Sequence, residues 1–226
     1  MKTLLIHREN ASRLILFFTG WGMDERPTAH LEPEGADVLL CYDYTEPPER
    51  AVLDELLGSY ARVTLAAWSL GVWVARESFG GSAVAFEDAL AINGTLRPVD
   101  AECGIPPVRF EQTAALWSEA TRPRFYRRMC GDPAALAFFL KSAPRRSVES
   151  QREELLAVGR RVAEKRITGN RLFRRAFIGC KDRVFPPAAQ AKCWTEAGAE
   201  ITEAAASHYV FAGLTSWKEV FALGED

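Results

Sequence analysis

The segment Val63–Trp73 constrains the fold of this chain more than any other part of the sequence. An apolar run leads directly into Ser69, and a helix-like stretch starts at the next residue. Alanine and glycine stand two residues before and two after the serine, in the pattern A-x-S-x-G, a variant of the nucleophile motif G-x-S-x-G. Small residues are needed where a strand and a helix meet at one sharp turn, and that turn exposes the serine hydroxyl. The segment predicts Ser69 as a nucleophile, with simple helix capping by Ser69 as the alternative.

Further short apolar runs are typical of strands that are buried on both faces of a parallel sheet. With the run before Ser69 they are Leu4–Ile6, Leu14–Phe18, Val38–Cys41, Val63–Trp68, Ala89–Ile92 and Arg175–Cys180. Helix-like stretches, notably Glu49–Tyr60 and Leu70–Phe79, lie between them. Strands and helices that alternate in this way predict an α/β fold with a mostly parallel, doubly wound sheet.

Residues 105–169 interrupt the alternation, because no strand pattern is found there. The helical patterns in this stretch are Thr113–Ala120, Pro123–Cys130, Pro133–Lys141 and Ser150–Lys165. The last one begins with Ser150 as a possible cap, and Glu153 stands at the capping-box spacing. We therefore predict that residues 1–104 and 170–226 form the core and that residues 105–169 form a helical lid inserted into it.

A serine nucleophile needs a general base and a carboxylate that orients the base. The chain contains 3 histidines: His7 and His30 lie early, whereas His208 follows the last predicted strand. Asp182 stands just past a strand pattern, at the sheet edge where active sites of open α/β sheets form. The chain order serine, aspartate, histidine is that of α/β-hydrolases. Ser69, Asp182 and His208 are therefore the predicted catalytic triad.

The loop Gly20-Trp21-Gly22 follows the second strand pattern. In an acyl-transfer site, backbone N–H groups bind the oxyanion that forms in the transition state. We predict that these groups are the N–H of Leu70, directly after the nucleophile, and the N–H of Trp21, which its flanking glycines allow to turn inward. A tight turn with a packed tryptophan is the alternative interpretation. The dinucleotide fingerprint G-x-G-x-x-G is excluded, since Glu25 occupies its third glycine position.

The composition is that of an ordinary globular protein, with 48% hydrophobic and 26% charged residues. A net charge of -2 gives no general reason to expect nucleic acid or an anionic membrane as a partner. The N-terminal apolar run is too short for a signal peptide, and no run approaches the length of a membrane span. The 5 cysteines form no CxxC pair and indicate reduced thiols, so a cytoplasmic protein is expected.

Several of these segments together resemble the BioG type of pimeloyl-acyl-carrier-protein methyl ester esterase, a family of α/β-hydrolases. The matching segments are Phe18–Asp24, Ala67–Val72, Ala91–Thr95, Gly104–Pro107 and Ile178–Asp182, so the resemblance spans most of the chain. It implies an esterase of biotin synthesis that removes the methyl group from a pimeloyl chain on acyl carrier protein, without a metal or organic cofactor. It also implies an acyl channel, for which Trp21, Trp68, Phe138 and Phe139 are candidates, although ordinary core packing explains each of them equally well.

The charge distribution provides a separate indication of the partner. Residues 105–175 carry 16 Lys and Arg against 7 Asp and Glu, whereas the rest of the chain carries 12 against 23. Acyl carrier proteins are acidic, so a basic lid can dock one through complementary potentials. The candidate docking residues are Arg122, Arg124, Arg127, Arg128, Arg145, Arg146 and Arg152. The alternative is a solvated helix surface with intrahelical pairs such as Arg152–Glu154, and nucleic-acid binding is disfavoured because no reading motif is present.

Two other functions stay open at this point. A thioesterase or a broad short-chain carboxylesterase keeps the triad and changes the substrate. A hydrolase-like scaffold that binds acyl carrier protein without catalysis belongs to another class. It is disfavoured, because such a scaffold has no reason to keep Ser69, Asp182 and His208 together.

Overall fold

The computed structural model describes residues 1–47, 49–80, 84–165, 169–170 and 172–225. Within them the chain forms one seven-stranded sheet and eight α-helices. The strands are β1 (Lys2–His7), β2 (Arg13–Phe18), β3 (Asp37–Tyr42), β4 (Arg62–Trp68), β5 (Asp88–Ile92), β6 (Arg175–Gly179) and β7 (Glu200–Ala204). The helices are α1 (Arg50–Gly58), α2 (Leu70–Phe79), α3 (Pro107–Leu116), α4 (Arg122–Cys130), α5 (Pro133–Lys141), α6 (Val148–Glu164), α7 (Pro187–Ala197) and α8 (Trp217–Phe221).

The sheet has the strand order β1-β3-β2-β4-β5-β6-β7. Strands β2 to β7 run parallel, and β1 pairs antiparallel with β3 at one edge. The interior strands β2, β4 and β5 are apolar runs buried along almost their whole length, as expected where both faces of a sheet are covered. The predicted mostly parallel sheet is confirmed, and the antiparallel edge strand is an addition to it.

The order of the strands places two loops of interest side by side. The chain passes from β2 to β3 on one side and then returns to β4 on the other side of β2. Phe18 at the end of β2 pairs with Ala67 near the end of β4. Loops that leave neighbouring strands in opposite directions open a crevice at the carboxyl ends of those strands. The Gly20-Trp21-Gly22 loop after β2 and Ser69 after β4 therefore lie next to each other.

Large aromatic side chains fill the core beneath this edge of the sheet. Those exposed by less than 2% are Trp68, Trp73, Trp194, Trp217, Tyr44, Tyr209, Phe17, Phe18, Phe139, Phe177, Phe185 and Phe211. Phe17 and Trp217, for example, meet edge to face with ring centroids 4.9 Å apart. Each aromatic side chain removes roughly 150–250 Å² of surface from water. The strands whose ends carry the site thus pack against a dense aromatic core.

Helices α3 to α6 lie between β5 and β6 in the chain, inside the predicted insertion, and we call them the helical block. Helix α3 begins at Pro107 rather than at Thr113, because a proline in the first turn has a preset φ and needs no N–H partner. Helix α6 begins at Val148 rather than at Ser150. Its cap is Ser147, whose hydroxyl accepts the N–H of Ser150 at 3.1 Å. Both predicted helix starts are therefore wrong.

Crossing a lipid bilayer requires a long apolar helix. No helix in the described ranges has that combination of length and apolar character.

Candidate active site

Ser69 occupies the sharp turn between β4 and α2. Its backbone has φ 60° and ψ -128°, a conformation that costs a non-glycine residue roughly 1–3 kcal/mol. The turn presses α2 against the end of β2, so that a Cβ added to Gly71 would lie 2.4 Å from the backbone oxygen of Thr19. Glycine is required at that position, whereas Ala67 fits within β4 with no exposed surface. The alanine of the A-x-S-x-G pattern is thus compatible with the strained turn.

The structure brings the three predicted triad residues together in one chain of hydrogen bonds. The Ser69 hydroxyl lies 2.9 Å from His208 Nε2, and His208 Nδ1 lies 2.8 Å from Asp182 Oδ2. All three residues are at most 6% exposed. When Nδ1 carries the imidazole proton, it donates a hydrogen bond to the carboxylate. Nε2 then has a free lone pair that can accept the serine proton. This arrangement is chemically suited to nucleophilic acyl transfer.

Asp182 is held by donors on both of its carboxylate oxygens. Oδ1 accepts the backbone N–H groups of Val184 and Phe185 at 2.7 and 3.0 Å. Oδ2 accepts the side-chain amide of Gln190 at 3.0 Å, beside its bond to His208. A buried carboxylate needs such partners, since desolvation without them is costly. They fix the orientation of the carboxylate toward the imidazole.

The backbone of His208 is fixed by two side chains from other strand ends. Trp68 Nε1 donates to the His208 carbonyl at 2.9 Å, and Asn93 Nδ2 donates to the same carbonyl at 3.0 Å. Asn93 Nδ2 also donates to the Ser207 carbonyl at 2.9 Å, and the Asn93 amide oxygen accepts the N–H of Gly179 at 2.7 Å. The sequence motifs assign no role to Asn93. Its place directly after β5, at the active edge of the sheet, is the signal that points to it.

The loop after β2 presents its backbone to the nucleophile. A Cβ added to Gly20 would lie 3.3 Å from the Cβ of Ser69, so the loop passes close by. In the described chain, the backbone N–H groups of Trp21 and Leu70 make no hydrogen bond within the protein. Gly20, Trp21, Ser69 and Leu70 all line one cavity. Two unpaired donors beside the nucleophile suit the predicted oxyanion hole.

Two buried side chains of α6 hold this loop. Trp21 Nε1 donates to the backbone carbonyl of Gln151 at 2.6 Å, and the side-chain Nε2 of Gln151 donates to the backbone carbonyl of Gly22 at 2.8 Å. The Glu154 carboxylate accepts the N–H groups of Gly22 and Tyr44, both at 3.0 Å. The loop is therefore fastened to the helical block as well as to the sheet. Gln151 and Glu154 are site residues that the sequence motifs miss.

The Glu154 carboxylate also pairs with Arg146, whose guanidinium reaches Asp43 at 3.0 Å. Burial raises the pKa of the Glu154 carboxyl, while the charge of Arg146 and the two backbone donors act against that rise. The Arg146 side chain is only 7% exposed. The prediction that Arg146 docks a carrier protein is wrong, because its partners lie inside the protein.

A cavity lies over the triad. Trp21 and Trp68, which are predicted to line an acyl channel, form part of its wall. The helical block and the segment before it contribute Ile105, Phe110, Thr113, Phe125, Met129 and Leu155. A mostly apolar wall around a nucleophile and its base is typical of a site for a small acyl substrate.

Phe138 and Phe139 do not line this cavity. Phe138 packs on the ring of His30, with centroids 4.8 Å apart. Phe139 is fully buried and packs against Tyr126 and Tyr209, with centroids 4.9 and 5.1 Å apart. The prediction that they line the acyl channel is wrong, because α5 packs its aromatic side chains on the core.

The remaining predicted docking arginines lie on the helical block. Those with exposed side chains are Arg124, Arg127, Arg145 and Arg152. Arg122 is half-buried and pairs with Glu119 at 2.5 Å. Arg128 is half-buried, stacks on the ring of Phe125 and lines the cavity. Arg152 donates from Nε to the Ala114 carbonyl at 3.2 Å rather than pairing with the carboxylate two residues away.

The chain is similar to several known proteins. The model of the family described as pimeloyl-ACP methyl esterase BioG matches residues 1–220. A malonyl-[acyl-carrier protein] O-methyltransferase of Bacteroides fragilis (strain 638R) is 40% identical over 195 residues, which cover 86% of this chain and 39% of that protein. This chain thus spans about two fifths of the length of that relative.

Solved structures give the same result for the fold. The crystal structure of BioG from Haemophilus influenzae is similar to this chain with a TM-score of 0.87 and 34% identity, covering 100% of both chains. The enol-lactonase from Burkholderia xenovorans LB400 has a TM-score of 0.65 at 16% identity, covering 99% of this chain and 93% of the lactonase. These likenesses confirm the expected α/β-hydrolase fold.

Proposed function

The chain belongs to the BioG family of pimeloyl-ACP methyl esterases, and from this premise we propose that it removes the methyl group from the pimeloyl methyl ester on acyl carrier protein, a step of biotin synthesis. The observation that carries the proposal is the hydrogen-bonded chain of Ser69, His208 and Asp182 beneath an apolar cavity. Hydrolysis of an acyl ester needs both parts, a nucleophile with its base and a wall for the acyl chain.

In the first half-reaction, Ser69 Oγ attacks the ester carbonyl carbon while His208 Nε2 takes the hydroxyl proton. Asp182 keeps the imidazole oriented and stabilises its positive charge. The N–H groups of Trp21 and Leu70 bind the oxyanion, and one such donor lowers the barrier by about 3–4 kcal/mol. The intermediate then expels the methoxy group, which takes the proton from His208 and leaves as methanol.

In the second half-reaction, water attacks the pimeloyl ester on Ser69. His208 takes a proton from this water and returns it to the Ser69 oxygen when the acyl bond breaks. The product is a free carboxylate at the end of the pimeloyl chain. The proposed reaction leaves the thioester to the carrier protein intact, because Ser69 attacks the ester carbon at the other end of the pimeloyl chain.

The exposed arginines of the helical block support a carrier protein as the partner. Arg124 and Arg127 lie on α4, and Arg145 and Arg152 lie before and on α6. An acidic carrier meets a complementary potential on this surface, which raises the association rate and orients the complex. We assign docking to these four side chains, together with Arg122 at the edge of the surface, whereas Arg128 lines the cavity.

The name of the Bacteroides relative concerns a protein of which this chain matches 39%. Methyl transfer to a carrier-bound acid and hydrolysis of a carrier-bound methyl ester are opposite changes at the same kind of group. Ser69 and His208 support hydrolysis for this chain, since attack on a methyl donor by an acid needs no serine nucleophile. We therefore assign the esterase step alone to it.

Mass spectrometry of the carrier protein tests the proposal directly. Incubation of the pimeloyl methyl ester of acyl carrier protein with the enzyme should convert the ester to the acid and leave the thioester intact. Ser69→Ala should abolish the conversion, and an active-site fluorophosphonate should label the wild type but not this variant. Normal turnover by Ser69→Ala would falsify the assignment of the nucleophile.

The other functions give different products in the same assay. A thioesterase releases the acyl chain and leaves the carrier with a free thiol. A non-catalytic scaffold leaves the substrate unchanged and fails to react with the fluorophosphonate. Restoration of biotin-free growth in cells that lack their own pimeloyl ester esterase, by wild type and not by Ser69→Ala, tests the same step in vivo.

A further inference from the structure

The cavity over the triad continues into a groove on the surface of the helical block. The groove lies between α3 and α4. Arg109, Thr113, Phe125 and Arg128 line both the cavity and the groove, and we call these four residues the neck. An acyl chain that extends from Ser69 into the groove passes between them.

Two guanidinium groups at the neck lack a counter-ion. Across the described ranges, no carboxylate lies within ion-pair distance of Arg109 or Arg128. The Nε atom of Arg128 is buried and has no hydrogen-bond partner. The Arg128 guanidinium lies 5.3 Å from the centroid of the Phe125 ring, and this stacking restrains it at the neck.

The two cations also interact unfavourably with each other. Burial, and after it the positive charge of Arg109, lower the pKa of the Arg128 guanidinium. The nearest opposite influence comes from Asp182, whose carboxylate oxygens are already occupied by four donors. A buried donor without an acceptor and a like-charged neighbour together favour an anionic ligand, because charge-assisted hydrogen bonds relieve both costs.

We propose that Arg109 and Arg128 bind the far end of the acyl chain, and that the enzyme also hydrolyses carrier-free monomethyl esters of dicarboxylic acids. The free carboxylate of such a half-ester pairs with the two guanidinium groups while its methyl ester lies at Ser69. The inference rests on the proposed esterase reaction and adds a second substrate class to it. In the carrier-bound substrate, the thioester carbonyl oxygen takes the same place as an uncharged acceptor.

The reaction of the half-ester is the same hydrolysis. The bond between the acyl carbon and the methoxy oxygen breaks, and water supplies the hydroxyl of the new acid and the proton of methanol. No oxidant, metal or further reactant is needed. The carboxylate at the neck is not changed.

The wall of the cavity leads us to expect that the rate of hydrolysis depends on the length of the acyl chain. Met23, Phe110 and Leu155 contribute apolar surface that suits a methylene chain. Ser69 and the two arginines are separate points of contact along one acyl chain, so a chain of matching length is needed to reach both. We therefore expect one half-ester in a length series to be hydrolysed fastest.

Steady-state kinetics with matched esters test the inference. Monomethyl pimelate and methyl heptanoate have the same number of carbons and differ in the far carboxylate. We expect kcat/KM to be about 10- to 100-fold higher for the half-ester, because a hydrogen bond to a charged group contributes a binding free energy that corresponds to this ratio. Arg128→Met should remove most of this preference, so that the ratio of the two kcat/KM values falls toward one. Arg109→Met, at an exposed position, should reduce the preference to a smaller extent.

Arg160→Met is the matched control, since Arg160 is an exposed arginine of α6 that lines neither the cavity nor the groove. Thermal unfolding of each variant shows that it is folded. Equal kcat/KM for the two esters in the wild type overturns the inference, as does an equal loss of preference in Arg160→Met. A different result, hydrolysis of methyl heptanoate without turnover of the carrier-bound ester, contradicts the proposed function. It does not contradict the binding of a carboxylate at the neck.

Discussion

Asn93 joins three strand ends although it does not touch a reacting atom. It follows β5, accepts a hydrogen bond from the end of β6 through Gly179, and donates to Ser207 and His208 after β7. Its backbone has φ 46°, a left-handed conformation that asparagine tolerates better than most residues. We regard it as a positioning residue for the catalytic base.

Asn93→Ala should therefore lower kcat for a small methyl ester about 10-fold or more, with little change in KM, because the base loses its place relative to Ser69. Initial rates over a range of ester concentrations separate the two parameters. Asn10→Ala is the control, since Asn10 is exposed and also has a positive φ, of 54°. An equal loss in Asn10→Ala would mean that the left-handed backbone, and not the hydrogen bonds, is responsible.

The strain at Ser69 leads to a second prediction at the same scale. Glycine adopts φ 60° and ψ -128° more readily than any residue with a Cβ. Ser69→Gly should thus be more stable than Ser69→Ala by about 1 kcal/mol, although both are inactive. Chemical denaturation of the two variants measures the difference. Equal stability would show that the turn is not strained in solution.

Helix α6 contributes to the packing of the core and also holds a loop of the candidate active site. Its residues Leu155 and Val158 pack in the core, and Leu155 also lines the cavity. Gln151 and Glu154 hold the Gly20-Trp21-Gly22 loop, which we call the oxyanion loop after its proposed role. A change in this helix is therefore expected to act on catalysis as well as on packing.

Glu154→Gln tests this expectation. The amide cannot accept both backbone N–H groups and also pair with Arg146, so the buried guanidinium keeps Asp43 as its counter-ion and loses the charge of Glu154. We expect a loss of about 3 kcal/mol in the free energy of unfolding. We also expect a fall in kcat that exceeds the change in KM, because the displaced loop weakens oxyanion binding.

Glu153→Gln provides the comparison, since Glu153 is the exposed neighbour on the same helix. It should match the wild type in stability and in kcat. A Glu154→Gln enzyme with lowered stability and an unchanged kcat would give Glu154 a structural role only.

Some parts of the site could be predicted from the sequence, and others could not. The proximity of Ser69, Asp182 and His208 was predictable because each follows a strand pattern, and the carboxyl ends of parallel strands meet at one edge. Gln151 and Glu154 were not predictable, since polar residues on a helix usually face solvent. Their partners in the oxyanion loop lie 129 to 132 residues away along the chain.

Residue type alone also gives a wrong assignment of two adjacent phenylalanines to the acyl channel. Phe138 and Phe139 have the character expected of an acyl channel, but a core position requires the same character. Phe110 and Phe125, which do line the cavity, have no feature in the sequence that sets them apart. The packing of one helix on another decides between these outcomes, and no local pattern contains it.

At the scale of the whole molecule, the charge is divided between the parts of the chain. The stretch 105–175 is basic and the remainder is acidic, with Lys and Arg to Asp and Glu counts of 16 to 7 and 12 to 23. Burial of Arg146 removes one arginine from the proposed docking surface and leaves the exposed ones on α4, just before α6 and on α6. The role of the helical block as a lid and docking surface is a prediction that a salt titration can address.

Turnover of the carrier-bound ester should fall several-fold in kcat/KM when the ionic strength rises from about 0.01 M to 0.15 M, because the Debye length shrinks from about 30 Å to 8 Å. Hydrolysis of an uncharged methyl ester is the internal control and should change little. The two kcat/KM values are measured in the same buffers. A parallel response of both substrates would indicate that salt acts on the enzyme and not on docking.

The attachment of the oxyanion loop to α6 has a consequence for protein engineering. Lid segments are attractive units to exchange between related hydrolases when a new substrate range is wanted. In this protein, a graft that replaces α6 also removes Gln151 and Glu154, and with them two anchors of the catalytic loop. A chimaera should therefore take its foreign sequence from α3 to α5 and keep the native α6, so that the new acyl channel is built over an undisturbed reaction centre.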